Sequence, residues 1–575
     1  MSLVYRRAAT NLICKRCHTS KRSYSTSQPE LHDLVVVGGG PAGLALTAAL
    51  ASSESISSSH KITLIEGSSL SSTRDWSPQE GQLSNRVSSI TSENIRFLSQ
   101  TGIWQHVDHS RTRGIQEMQV WDGISDARIE FQAPTLSTID STSNASHYAS
   151  PVRSSMATLT ENLNLQRAAL RRIEETGNVE LVDEMKVGSI LKSSKEEGGW
   201  PIVNLENKDG SIKRSIRARL LIGADGANSP VKSYSDIETF GWAYDRQGVV
   251  SSLDLNPSTM GEGTHTAWQR FLPEGPIAFL PLSDTTASLV WSTTPAYASL
   301  LKSLPSEALA HLVNLAFCLP YSELSSLLSH LQSLQSSSST SLSDPASLIS
   351  SLKEIHTTHL HSTYDPNMPS DPLPPLVIGI QPKTTASFPL RLSHTSSYLG
   401  LPSTDHSQDL RTVLVGDAAH TIHPLAGQGL NMGLSDSSSL VKLLSSLSES
   451  GADLGSYVSL LPYPRDRYTK NHALLSTCDH LASLYGTQFG PVVWARSTGL
   501  EIVNELPAVK NLLMGGAGGA EVKSEGRGGR SSGAWGVAAN VLETAGQAKD
   551  MLKLGGAMLG SKVKKRASEF VVKGR

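Results

Sequence analysis

Between Gly416 and Gly433 the chain reads GDAAHTIHPLAGQGLNMG. Asp417 offers a carboxylate that accepts hydrogen bonds from sugar or polyol hydroxyls. Pro424 turns the chain, and Gly427 and Gly429 leave bare backbone N–H groups able to approach a ligand at van der Waals distance. Leu430, Met432 and Leu434 then open a helix whose N-terminal dipole favours negative charge on that ligand. A flavin gathers negative charge on its pyrimidine ring when reduced, and such a donor set suits it. The reading therefore puts Pro424, Gly427 and Gly429 beside the reactive flavin edge, with Asp417, Gln428, Leu430 and Asn431 in contact with the cofactor. His420 and His423 are candidates for acid–base work or for orienting the loop, and the sequence leaves both open.

A second element stands near the start. Leu34–Val37 is a β-branched run of buried-strand type, followed by Gly38-Gly39-Gly40-Pro41-Ala42-Gly43 and an Ala/Leu-rich helix to about Leu50. This is G-x-G-x-x-G, on Gly38, Gly40 and Gly43, in its required strand–turn–helix context. A further strand, Lys61 to Ile65, ends at Glu66, placed to accept hydrogen bonds from a ribose. The set points to an ADP-containing dinucleotide without choosing FAD over NAD. A third element, Leu221-Ile222-Gly223-Ala224-Asp225-Gly226, delivers Asp225 between glycines from an apolar strand, and Ser229-Pro230-Val231 begins the next helix.

The three elements together resemble the FAD-dependent aromatic monooxygenases of the para-hydroxybenzoate hydroxylase type. Lys232 stands where the family's middle motif has Arg, which removes bidentate binding at that point. Asn85-Arg86-Val87-Ser88-Ser89-Ile90 resembles the family segment whose Arg binds near the pyrophosphate, and Asn164-Leu165-Gln166 the helix whose Gln contacts the cofactor. Ala267-Trp268-Gln269-Arg270-Phe271, Gly275 to Leu282, Ser288 to Ser292 and Ser387-Phe388-Pro389-Leu390 are similar to the substrate-domain blocks of the ubiquinone-biosynthesis hydroxylases. The resemblance covers about 31–510 apart from insertions.

The resemblance implies an α/β protein: a Rossmann-like FAD-binding domain with an inserted mixed β-sheet substrate domain and a helical C-terminal region. It implies FAD as cofactor, a polyprenylated phenol as substrate, and hydroxylation of a 4-hydroxybenzoate-type ring at position 5 by oxygen activated on reduced flavin. It also implies electrons from a ferredoxin and its reductase. The implied partners are other ubiquinone-biosynthesis proteins, including a lipid-binding one, at the matrix face of the mitochondrial inner membrane. A kynurenine-type hydroxylase would carry a membrane anchor, and a flavin halogenase a Trp-x-Trp-x-Ile-Pro signature; neither is evident. A non-catalytic FAD-bound scaffold would keep the same glycines and stays open.

The first 24 residues hold Arg6, Arg7, Lys15, Arg16, Lys21 and Arg22, with Glu30 the first acid, which is the composition of a mitochondrial transit peptide. Cys14-Lys15-Arg16-Cys17-His18 matches the C-x-x-C-H haem pattern but lies in this leader. Only Cys318 and Cys478 follow, so no disulfide framework and no metal site is expected. The formal charge of the whole chain is −2, with basic residues gathered at the ends, which does not suit nucleic-acid binding.

The expected organisation is a transit peptide at 1–24, a first FAD-binding segment at 31–235 with some substrate-sheet segments, and a substrate domain at 236–385. A second FAD-binding segment at 386–470, C-terminal helices at 471–513 and a Gly-rich linker with a basic tail at 514–575 complete it. Within the substrate domain about 322–375 is a Ser-rich insertion, read as helix, polar segment, then helix from about Ala346 to His356, and taken as solvated surface. In the tail, Val541, Ala545, Ala548, Leu552 and Leu559 share one helical face beside lysines, which reads equally as an interfacial helix or as a solvated basic tail.

Overall fold

The computed structural model describes residues 28–133, 155–194, 198–207, 210–256, 265–336, 345–363, 372–402, 410–423 and 427–506. The transit segment, Pro424, and the linker and basic tail lie outside the described residues.

Two sheets carry the architecture. In the first, four parallel strands lie in the order Val179–Val182, Ile62–Ile65, Glu30–Val37, Ile212–Gly223. Leu34, Val35, Val36, Ile62, Leu64, Leu220, Leu221 and Ile222 are fully buried, as a parallel sheet covered on both faces requires. Ile212–Gly223 is long enough to serve two neighbours. Its first half pairs antiparallel with Pro201–Glu206, which pairs in turn with Lys186–Lys192; its last three residues pair parallel with Thr412–Leu414. The helices Pro41–Ser52, Asn162–Thr176 and Gly429–Glu449 pack together against this sheet.

The second sheet has nine strands and is mixed. Thr266–Phe271 and Glu117–Asp122 run parallel, whereas the other pairings are antiparallel. One face is covered by helices Pro295–Ser303, Ser306–Cys318, Tyr321–Ser336 and Pro345–Thr363 over a core that includes Trp121, Trp268, Phe279, Trp291 and Phe317. A small sheet of Val87–Thr91, Ala157–Glu161 and Thr112–Ile115 stands between the two. This is the expected α/β arrangement: a Rossmann-like nucleotide sheet, an inserted mixed sheet and C-terminal helices.

Two details differ from the sequence reading. Ala386–Thr395, assigned to the second FAD-binding segment, pairs along Thr239–Leu255 in the large sheet, and the first strand back in the nucleotide sheet is Thr412–Leu414. The Ser-rich insertion is not all solvated surface. Leu324, Leu328, Leu331 and Leu352 are buried in the substrate-domain core, because leucines at helical spacing bury one stripe whatever the serines opposite do.

The C-terminal helices Pro462–Gly486 and Gly490–Asn504 are fastened by a buried ion pair. Arg496 donates through Nε and Nη2 to the two carboxylate oxygens of Asp122, both at 2.9 Å, and through Nη1 to the carbonyls of Leu484 and Thr487. Leu328→Ala is expected to cost about 2–4 kcal/mol in urea unfolding, whereas Ser329→Ala, on the exposed side of the same helix, changes stability by less than about 0.5 kcal/mol.

Candidate cofactor and active site

The C-terminal ends of the parallel strands release the loops in which the sequence placed its candidates. Glu66 N–H donates to the Val182 carbonyl, Gly38 N–H to Ile65, Ala224 N–H to Val37 and Val415 N–H to Gly223, at 2.8–2.9 Å. Glu66, the Gly38–Gly43 turn, Asp225 and Asp417 therefore follow one another along a single edge of the sheet, where open α/β sheets bind ligands.

Within the glycine turn the three positions differ. Gly38 has φ +112°, and a Cβ there would collide with the Ala224 carbonyl; at Gly43 it would collide with the carbonyl of Gly38. Gly40, at φ −69° and capping helix Pro41–Ser52, has no protein atom within 4 Å of where its Cβ would stand. Gly38 and Gly43 are thus required by the fold, whereas at Gly40 the fold leaves the space beside the helix N-terminus open. Gly39 N–H donates to Glu66 Oε2 at 2.6 Å, and Gln166 Nε2 donates to the Gly39 carbonyl at 3.2 Å. Arg86 is exposed, with no ion pair among the described residues.

Both carboxylate oxygens of Asp225 are buried without a hydrogen-bond partner. Burial lifts its pKa to about 6, against the nearby Ser229 hydroxyl, Val231 amide and Lys232 ammonium. Lys232 donates instead to the Ala227 carbonyl at 2.8 Å. Asp417 is open to solvent although it is set deep in the fold. The surrounding protein pushes its carboxyl up, opposed by His420 and Arg391. An exposed acid in so deep a place lies on the floor of a concavity.

The glycine-rich loop then joins this edge. Gly416, at φ +60°, and Gly433 both face Ala42, so that helix Gly429–Glu449 crosses helix Pro41–Ser52 near both N-termini. A Cβ on Gly427, also at φ +60°, would stand 3.6 Å from the Ser89 hydroxyl, and one on Gly429 3.6 Å from Ile422. Leu430 packs on the nucleotide-domain core. Asn431 uses its side chain inside the protein: it donates to the Ser89 carbonyl at 2.7 Å and accepts from Thr91 N–H and Asn94 Nδ2 at 3.0 and 2.9 Å. Only its backbone is left to meet a ligand. Gln428 forms the cap of the helix.

The two histidines have separate roles. His420 Nε2 lies 2.6 Å from Asp436 Oδ2, and both residues are buried. Asp436 also accepts from Gly416 N–H at 3.2 Å and from Arg467 Nε and Asn471 Nδ2, each at 2.9 Å. Burial opposes its ionisation, but His420, Arg467 and Asn471 outweigh it and hold the carboxyl well below the usual range. His423 is buried, its ring edge-on to Tyr244 at 5.0 Å, and burial lowers its pKa to about 4, so it is neutral near pH 7. His420 is therefore held by Asp436 at the start of the loop, and His423 packs as a neutral ring against Tyr244. Sequence reasoning missed Asp436, Arg467, Asn471 and Tyr398, whose hydroxyl accepts from Asn471 at 3.1 Å. The one local signal was an acid between Met432 and Leu440 on an apolar helical stripe.

A cation-type cluster, Glu30, His32 and Glu180, lies at the opposite end of the sheet, and its carboxylates are already paired with Arg214 and Lys61. The cofactor edge has a different chemistry. Two carboxylates without hydrogen-bond partners, an open glycine at a helix N-terminus and bare amides beside a second N-terminus suit a ligand with a diphosphate, several hydroxyls and a flat ring that takes up negative charge.

Residues 32–311 and 402–459 match the family described as FAD binding domain. The mitochondrial ubiquinone biosynthesis monooxygenase COQ6 of Saccharomyces cerevisiae is 36% identical over 505 residues, covering 86% of this chain and 95% of that one. Its Homo sapiens counterpart is 34% identical over 504 residues, covering 86% and 94%. Among solved structures, p-nitrophenol 4-monooxygenase PnpA from Pseudomonas putida aligns at TM-score 0.56 and 15% identity, covering 86% of this chain and 100% of that one. A PqsL variant of P. aeruginosa aligns at 0.54 and 18%, covering 82% and 99%; these two likenesses concern the fold alone.

Asp436→Asn leaves Arg467 without its counter-charge and is expected to cost about 3–5 kcal/mol and to release cofactor, read by thermal unfolding and flavin retention. Because the Asp436 carboxyl is depressed in the folded state, its contribution is complete above about pH 4 and falls away only as pH drops toward that depressed value. The variant should lose this acid limb; a wild-type unfolding profile would refute the assignment.

Proposed function

This chain belongs to the FAD binding domain family and, within it, to the ubiquinone biosynthesis monooxygenases; from that premise we infer that it is a mitochondrial FAD-dependent oxygenase that hydroxylates the ring of a polyprenylated 4-hydroxybenzoate, at position 5. The observation that carries the cofactor assignment is the pair of buried, unpartnered oxygens on Asp225, on the same sheet edge as Asp417 and Gly40.

When bound, FAD supplies the redox chemistry, accepting electrons and activating oxygen so that one atom reaches the ring. The chain's own residues bind and orient. The Gly38–Gly43 turn presents amides and a helix N-terminus to the pyrophosphate, with Arg86 free to add charge. Glu66 accepts ribose hydroxyls in place of the Gly39 amide, and Gln166 steadies the turn through the Gly39 carbonyl. Asp225 and Asp417 accept hydroxyl donors along the ribityl–pyrophosphate stretch, which favours their charged forms and offsets the effect of burial on Asp225. Gln428, Leu430 and Asn431 offer backbone amides at the start of helix Gly429–Glu449, toward the pyrimidine edge. Gly427 and Gly429 line the reactive side and keep bulk away from it. No residue is assigned as general base.

Electrons come from a ferredoxin and its reductase, and the enzyme works with other ubiquinone-biosynthesis proteins, a lipid-binding one among them, on the matrix face of the inner membrane. No helix among the described residues is long and apolar enough to cross a bilayer, which suits peripheral contact.

Gly40→Ala and Gly40→Val test the cradle with little disturbance of the fold, since a Cβ there meets no protein atom within 4 Å. Gly40→Val should purify without flavin and unfold at the temperature of flavin-free wild type; retained flavin refutes the cradle. Mass spectrometry of quinone lipids from cells lacking the chain tests the reaction. A prenylated precursor without the position 5 oxygen, with ubiquinone absent, supports the reading, and normal ubiquinone overturns it. A Gly40→Val protein that lacks flavin yet restores ubiquinone would make the chain a scaffold.

A further inference from the structure

Surface helices are ordinarily polar on the side away from the core. The C-terminal helix Gly490–Asn504 is apolar on both sides. Its inner face is held down: Val493, Arg496 and Ser497 are buried, and Leu500 and Val503 pack with Val120, Ile129, Phe271 and Tyr485. On its outer face, at helical spacing, Pro491, Trp494, Ala495 and Ile502 are exposed. Phe489, which caps the helix, is 65% exposed, and Trp494 is 50% exposed.

Single exposed apolar side chains need no explanation, but here they are concentrated. Among the described residues, five of the sixteen large apolar side chains left exposed lie between Leu484 and Leu506. The charges are ordered as well. The outer face is uncharged from Pro491 to Thr498, and its acids, Glu501 and Glu505, come only at the C-terminal end. Farther along the chain, residues 521–575, outside the described residues, carry 11 basic and 5 acidic side chains.

The size of the strip decides between occupants. The helix has 15 residues, which at 1.5 Å each makes it about 22 Å long, and one helix face is about 10 Å wide. That is roughly 200 Å², far below the ~800 Å² per partner that a stable protein–protein contact buries. A bilayer sets no such minimum, since apolar side chains enter the boundary between headgroups and acyl chains one by one. Trp and Phe suit that boundary, and basic neighbours add attraction to anionic headgroups.

We propose that the outer face of helix Gly490–Asn504 is the surface by which this chain rests on an anionic lipid bilayer, with Phe489 and Trp494 entering the acyl boundary and Glu501 and Glu505 left on the watery side. The choice of a bilayer rests on the functional reading above, because a polyprenylated substrate dissolves in membrane and not in water. No helix among the described residues is long and apolar enough to cross that bilayer, so the contact is lateral. The buried Asp122–Arg496 pair anchors the helix from its inner side, so entry of the outer face into lipid leaves it fastened to the sheet.

The test uses the FAD-loaded full chain and vesicles of phosphatidylcholine with about 20% cardiolipin, an anionic lipid. Co-sedimentation reads binding; thermal unfolding and flavin absorbance read the fold. The double variant Phe489→Ser, Trp494→Glu, changed only at exposed positions, should keep its flavin and its unfolding temperature and bind the vesicles about tenfold more weakly. Brominated acyl chains should quench the tryptophan fluorescence of wild type more than that of Trp494→Phe, which keeps the surface apolar and the vesicle affinity. Undiminished vesicle binding by the double variant overturns the proposal and leaves the basic segment as the contact. Equal quenching in wild type and Trp494→Phe overturns it too, even where the double variant fails to fold. So does a wild type that ignores the vesicles, or one that forms an oligomer in light scattering which the double variant loses, since the face would then be a protein contact. Failure of the functional reading shows separately, as normal ubiquinone in cells lacking the chain.

Discussion

A carboxylate removed from water stays ionised only if protein donors replace its hydration. Asp436 has four: the Gly416 amide, His420, Arg467 and Asn471. These donors come from the turn that carries Asp417, the short strand leading into the glycine-rich loop, and the helix Pro462–Gly486. Asp436 itself lies two turns into the helix whose first residues face the cofactor edge. One anion therefore sets the distance between the loop and the helix N-terminus. Asn431 provides a second fastening, tying the same helix to the strand beside Gly427. With both ends held, the backbone from Gly427 to Asn431 can be fixed before any ligand arrives, and preorganised donors of this kind are the ones that stabilise charge most.

The residues legible in the sequence are those whose work is local. Gly38 and Gly43 are glycines because the next loop's carbonyl or their own turn's carbonyl stands where a Cβ would be, and a strand–turn–helix pattern announces that arrangement. Glu66, Asp225 and Asp417 each end an apolar run, so their place at a strand terminus could be read directly. The Asp436 set could not be read this way. His420, Asp436, Arg467 and Asn471 are brought together by helix packing across some fifty residues, and nothing in the spacing of those four types marks them as partners. Composition misled once: serine dominates Tyr321–Ser336, yet the leucine stripe decides where that helix lies. The boundary at 386 was misplaced because a strand's sheet is chosen by its partners, which its own sequence does not state.

The substrate domain uses charge in the same economical way. Asp122 and Arg496 form a bidentate pair out of water, and Arg496 also closes two carbonyls at the end of the preceding helix. Apolar packing alone would hold the C-terminal helices against the sheet in several registers. The planar guanidinium fork accepts one. Phe271 stacked on Tyr485 at 4.0 Å then fills the space beside it.

The forked strand Ile212–Gly223 bears on how the chain reaches this structure. Its antiparallel neighbour, Pro201–Glu206, precedes it directly, but the second of its two parallel neighbours, Thr412–Leu414, arrives about 190 residues later. Contacts that close so long a loop form late, because the entropy of closure must be met before the contact offers anything in return. The first three nucleotide-binding loops can thus be in place on a sheet whose last parallel strand is still missing, while the intervening mixed sheet folds on its own core. Only afterwards do Asp417 and the second helix N-terminus dock. A cofactor held across all four loops, as proposed above, would capture the finished arrangement and not its precursors, so that flavin supply would act on the yield of folding as well as on the chemistry.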